Sequence, residues 1–96
     1  MELIVPRSFK LLNRSYKVTR PKTILIDGEE LNGYCESDVA TIRIEKGLDK
    51  ELADETFLHE MTHAILFALG YDELSYDEKF VGSFSAALHQ VLKTAK

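Results

Sequence analysis

The segment Asp49–Gly70, DKELADETFLHEMTHAILFALG, holds the longest regular pattern in the chain. Apolar residues recur there at Leu52, Phe57, Leu58, Met61, Ile65, Ala68 and Leu69, and steps of three and four belong to a helix. Asp49 stands where an N-cap is expected and Gly70 where a helix closes. The spacing predicts a helix over Lys50 to Leu69, ~30 Å long at ~1.5 Å per residue.

Downstream, a five-residue link, Tyr71 to Ser75, leads to a second helical pattern from about Tyr76 to about Thr94. Its apolar side carries Phe80, Val81, Phe84, Leu88, Val91 and Leu92, with Phe80 and Phe84 expected in the core. The small residues at Gly82 and from Ser83 to Ala87 would let the two helices approach closely. Upstream, the period shortens to two. Phe9 to Leu12 and Ser15 to Val18 read as strands about an Asn13-Arg14 turn. Thr23 to Ile26 ends at the turn signal Asp27-Gly28, and Glu29-Glu30 reads as solvated turn. Gly33 to Ser37 and Thr41 to Glu45 form a further pair about Asp38-Val39, with Ile42 and Ile44 alternating against polar neighbours. Strands first and helices last imply an α+β domain: a small, mainly antiparallel sheet of three to four strands packed on two C-terminal helices.

Within the first helix lies His59-Glu60-Met61-Thr62-His63. Positions i and i+4 are ~6 Å apart along a helix axis and share one face, so two imidazoles there can converge on one zinc ion at ~2.0–2.1 Å. Glu60 flanks the two histidines and suits a general base, which takes a proton from water and passes it to a leaving amine. His59 and His63 are thus candidate metal ligands and Glu60 the candidate catalytic residue. In a chain of 96 residues a chance match to this spacing has odds of roughly a few in a thousand.

Composition bounds the alternatives. Ninety-six residues fit one domain spanning 1–96, and so small a core gains from a metal staple. The net charge of −4, without a basic run or stripe, gives no nucleic-acid footprint. No apolar run approaches the ~18 residues that span a bilayer. Met1-Glu2-Leu3-Ile4-Val5-Pro6 lacks a basic segment followed by a long apolar one, so no signal peptide is expected. The single cysteine, Cys35, excludes an intrachain disulfide and suits a reducing cytoplasm. A lone cysteine in a strand is more often a small packed residue than a ligand.

Several segments together resemble a known group. These are Gly33-Tyr34-Cys35-Glu36, Thr41-Ile42-Arg43-Ile44, Thr56 to Leu66 around the paired histidines, and Asp77-Glu78-Lys79-Phe80-Val81. Their order is similar to that of the zincin metallopeptidases, specifically the minimal gluzincin-like domains common in phages and prokaryotes. Only His-Glu-x-x-His is highly specific, and no His-x-x-Gly-x-x-His continuation follows His63. The resemblance implies a zinc peptidase acting on a peptide or protein substrate, with a third ligand on the following helix. It also implies that the strand Thr41 to Glu45 lies beside the cleft and pairs with extended substrate.

Glu78, fifteen residues after His63, is the third ligand that the resemblance favours. Asp77 is the nearest substitute, and Ser75-Tyr76-Asp77-Glu78 also reads as a capping box in which Glu78 bonds back to Ser75. Asp72 and Glu73 fit less well. His89 lies ~16 Å beyond Glu78 on a straight helix. Tyr71, Tyr76 and His89 could serve a developing oxyanion, though residues of these types more often pack or face solvent. The rival reading is a catalytically silent, zinc-stabilised binding module. The presence of Glu60 and the lack of a fourth protein ligand count against it.

Overall fold

The structure, a computed structural model, describes residues 5–96; Met1 to Ile4, on which the signal-peptide reading partly rests, lie outside the described residues. Six strands precede three helices in an α+β arrangement. β1 (Ser8–Leu11) and β2 (Arg14–Thr19) form an antiparallel hairpin. Its turn falls one residue earlier than the Asn13-Arg14 expectation: Leu12 and Asn13 both have positive φ, +48° and +67°. That is the left-handed geometry a two-residue hairpin demands, and Asn tolerates it better than Leu does. Arg14 is thereby freed to start β2, and its guanidinium donates to the carbonyls of Ser37 and Asp38 at 2.7 Å each.

β3 (Leu25–Ile26) and β4 (Glu29–Glu30) form a separate exposed hairpin about Asp27-Gly28, so Glu29 and Glu30 are paired backbone rather than turn. β5 (Gly33–Glu36) returns through a 3₁₀ turn, Ser37–Val39, into β6 (Thr41–Ile44). The main sheet has the order β1-β2-β6-β5. Its one parallel pairing, β2 with β6, places Lys17 opposite Thr41. The sheet order corrects one expectation. β6 is an interior strand, with Ile42 and Ile44 fully buried, and both its edges are taken by β2 and β5. Its backbone therefore has no free side for a substrate. The strands with a free edge are β1 and β5.

α1 (Lys50–Ala68) begins as expected, with the Asp49 carboxylate accepting from the Leu52 amide at 2.9 Å. It ends at Leu69, and Gly70 follows at φ +85°, a conformation glycine adopts without strain. Phe57, Leu58 and Ala64 of α1 meet Tyr16, Val18, Ile42 and Ile44 of the sheet in the core. Phe9 stacks on Tyr16 and meets Phe57 edge-on. Asp54 is buried on the same helix and is held by Lys50 at 2.7 Å.

The link is not extended. Asp72–Ser75 forms a short helical turn, α2, and α3 runs Glu78–Thr94, two residues later than expected at its start. Ser75 does not cap α3. The cap is Asp77, whose carboxylate accepts from the Phe80 amide at 3.0 Å. α3 packs antiparallel to α1, with Lys93 paired to Glu51 at the far end. Val81 and Ser85 are fully buried, and Leu88 and Leu92 pack on the core. Phe84, expected in the core, is 48% exposed and stacks on Phe80 instead. Gly82 is not needed for helix approach, since a Cβ there meets nothing within 4 Å. No helix among the described residues is long and apolar enough to cross a membrane.

Gly33 is different. A Cβ at this edge-strand position would lie 2.5 Å from Thr56 Cγ2 and 3.1 Å from Glu60 Cγ. Gly33→Ala should therefore cost ~1–3 kcal/mol, the usual penalty of overpacking. Gly82→Ala should be neutral or stabilise by up to ~1 kcal/mol, because it removes a helix-interior glycine. Urea titrations of the two variants check the contrast, and equal stabilities would refute the close contact at Gly33.

Candidate metal centre

Helix periodicity puts His59 and His63 on one face of α1, with ring centroids 5.0 Å apart. α3 begins beside them, because the α2 turn shortens the link. Glu78 Oε1 lies 3.3 Å from His59 Nε2 and 3.0 Å from His63 Nε2. The three ligand atoms all fall within 4.8 Å of one another. A tetrahedral zinc ion with bonds of ~2.0–2.1 Å sets its ligand atoms ~3.3–3.4 Å apart. Two edges are close to that and the third is no longer than 4.8 Å, so the residues present fit the ion in spacing and in donor type. Asp77, the substitute ligand, is occupied as the helix cap and is not part of the cluster.

The tautomer of His63 follows from its other partner. Nδ1 lies 2.6 Å from the Ser75 carbonyl, which can only accept, so Nδ1 carries the hydrogen. In the neutral ring Nε2 then presents a lone pair toward Glu78 Oε1, another acceptor. Two acceptors at 3.0 Å repel unless a proton or a cation stands between them. Ser75 Oγ also donates to the His63 carbonyl at 3.1 Å, so this buried serine grips both ends of the histidine. Ligand histidines are typically oriented in this way through the ring nitrogen that does not bind metal. The sequence reading missed that role. Only the position of Ser75 at the end of the link hinted at it, and a capping pattern explained the same residue.

Glu60 is 9% exposed, with no hydrogen-bond or ion-pair partner among the described residues. Burial, and then the charge of Glu78, push its carboxyl up from the ordinary value near 4.5 to about 8. It lines a cleft of about 930 Å³ together with His59, His63, Glu78 and the edge strand β5. Cys35 also lines the cleft, where burial pushes its thiol pKa up, and it contacts Ser37 Oγ at 3.6 Å. It is not among the clustered ligand residues. Tyr76 sits on the cleft rim, whereas Tyr71 and His89 do not line it. The centre thus joins two imidazoles and a carboxylate with an open side, beside a buried acid able to hold or release a proton near neutral pH.

Comparison with family models, with curated proteins and with solved structures gives no match. The chemical reading of the centre accordingly stands on its own geometry.

Two outcomes follow from this arrangement. Glu78→Gln should weaken zinc binding sharply, because an amide is a poor substitute for a carboxylate ligand. Asp77→Ala should keep the metal and lose ~1 kcal/mol of helix cap. Calorimetric zinc titration separates the two, and unchanged affinity in Glu78→Gln would remove it as a ligand. The second outcome concerns the metal-free protein. A carboxyl whose pKa is raised on folding favours the fold fully below its unfolded value, and that contribution is lost as pH climbs to the folded one. Chelated wild type should therefore lose stability relative to Glu60→Gln between pH ~4.5 and about 8. Denaturation curves of both proteins across that range would run parallel if Glu60 were not desolvated.

Proposed function

We propose that the chain is a small zinc-dependent peptidase of the minimal gluzincin-like kind, with His59, His63 and Glu78 as ligands and Glu60 as general base and acid. The observation that carries this reading is the convergence of three ligand atoms beside a buried, unpartnered carboxylate at an open cleft. A site that served stability alone would have no use for that carboxylate, and burying it is costly. It would also tend to be closed by a fourth protein ligand, and none joins the cluster among the described residues.

When bound, a zinc ion supplies Lewis acidity toward a water molecule and toward a peptide carbonyl. The chain's own residues do the rest. Glu60 accepts a proton from the attacking water and returns it to the amine nitrogen as the C–N bond breaks. Ser75 holds the His63 ring in one tautomer and orientation. β5 lines the cleft and has one edge free, so its backbone can pair with an extended peptide as an added strand. A cytoplasmic place of action suits the single unpaired Cys35.

Glu60→Gln keeps the shape of the side chain and removes the base. The variant should fold, bind one zinc ion and hydrolyse extended peptides ~10²–10⁴-fold more slowly than wild type. Mass-spectrometric cleavage assays on a diverse peptide library, with zinc content measured in parallel, test this. Equal rates for the two proteins on one peptide would mean that the chemistry does not run through Glu60. A zinc-loaded wild type that binds library peptides without cutting any would favour the silent binding module.

A further inference from the structure

We propose that the cleft selects extended peptides carrying Lys or Arg side chains, and that Glu55 is the residue that makes the selection. The inference rests on the peptide-hydrolysing reading of the same cleft and adds the class of substrate to it.

The lining of the cleft is one-sided in charge. It includes Glu36, Asp38, Glu55, Glu60 and Glu78, but no Lys or Arg, although the chain has 12 such residues. The five carboxylates do not have equal standing. Glu60 and Glu78 belong to the metal centre. Glu36 is paired with Arg43 on the neighbouring strand. Asp38 lies where the Arg14 guanidinium covers the backbone carbonyls of Ser37 and Asp38, which offsets part of its charge. Glu55 has neither an ion pair nor a hydrogen bond among the described residues. The nearby Lys50 is committed to Asp54.

Its position makes that free charge useful. Glu55 is four residues before His59 on α1, so it lies one turn from the metal ligand on the same helix face. It is half-buried in the cleft wall formed by α1, and β5 lines the same cleft. A peptide added to the free edge of β5 would point alternate side chains to opposite faces, so one set can turn toward α1. A cationic side chain in that set would meet Glu55 in surroundings less screened than open solvent. An acidic side chain there would meet uncompensated negative charge and be rejected, and selectivity of this kind comes as much from repulsion as from attraction.

The test uses the zinc-loaded full chain and labelled peptides of about ten residues with alternating Lys-Thr, Gln-Thr or Glu-Thr sequence. Alternation keeps the same side chain toward α1 in all registers that differ by two residues, and a one-residue shift turns Thr toward α1 in all three peptides alike. Fluorescence anisotropy gives affinities at ~0.15 M salt, where the Debye length is ~8 Å. The Lys-Thr peptide should bind about tenfold more tightly than Gln-Thr, the size of one partly screened charge contact, and Glu-Thr should bind more weakly still. Glu55→Gln should cut the Lys preference several-fold. Glu30→Gln, the same charge change on the exposed β4, should leave it intact. Equal binding of all three peptides, or equal effects of the two variants, would overturn the selection. Cleavage without regard to charge would also overturn it while leaving the hydrolase reading in place. A Lys-Thr peptide that is bound through Glu55 and never cut would support the selection and remove the hydrolase reading.

Discussion

The close approach of α1 to β5 at Gly33 sets the position of everything else in the cleft. With no Cβ at Gly33, Thr56 and Glu60 can press against the strand backbone. That contact brings one turn of α1 against the edge strand that lines the cleft, where Glu60 is buried and His59 and His63 are partly open. A larger residue at position 33 would push the helix outward and loosen the packing around Glu60. The same contact brings the free backbone edge of β5 to the cleft that holds the metal-ligand candidates. The placement of Glu60 and the spacing of β5 from α1 therefore depend on one missing methyl group.

The second constraint is carried by Ser75. Its carbonyl and hydroxyl both bind His63, which ties the end of α2 to the middle of α1. α3 can then start three residues later with Glu78 in reach of both imidazoles. Asp77 caps α3 independently, so helix initiation and metal ligation fall to neighbouring residues and do not compete. Glu78 is much more exposed than the histidines, 67% for its side chain. Two candidate ligands are thus built into a packed helix, while the third lies at the start of a helix that the link must deliver.

The parts legible in the sequence were those governed by short-range periodicity. The paired histidines, Glu60 and the Asp49 cap lie within one helix, where spacing alone dictates which face each side chain shares. The α+β order was legible for the same reason. What depends on long-range pairing was not. Ile42 and Ile44 alternate as a half-buried strand should, yet that pattern is the same for an edge strand and an interior one, and only the parallel pairing with β2 makes β6 interior. Ser75 and Asp77 each begin a plausible N-cap sequence, and the choice between them is made by His63, twelve residues upstream of Ser75. Phe80 and Phe84 have core spacing, but Val81 and Ser85 take the buried face, so the rings are left to stack on each other.

The repulsions at the centre explain why these groups suit a cation better than they suit one another. With a neutral ring, His63 Nε2 faces Glu78 Oε1 as acceptor to acceptor, and burial, with the charge of Glu78 second, favours the neutral form of Glu60. Both are costs in the metal-free fold. A divalent ion held by His59, His63 and Glu78 would replace the first with attraction to the metal. It would also favour the charged form of Glu60 and so oppose the upward shift of its pKa. Glu78, the most exposed member of the set, would thus bear on metal binding and on the protonation of Glu60 alike. Burial first, and the charge of Glu78 second, favour the protonated form of Glu60 when no metal is present.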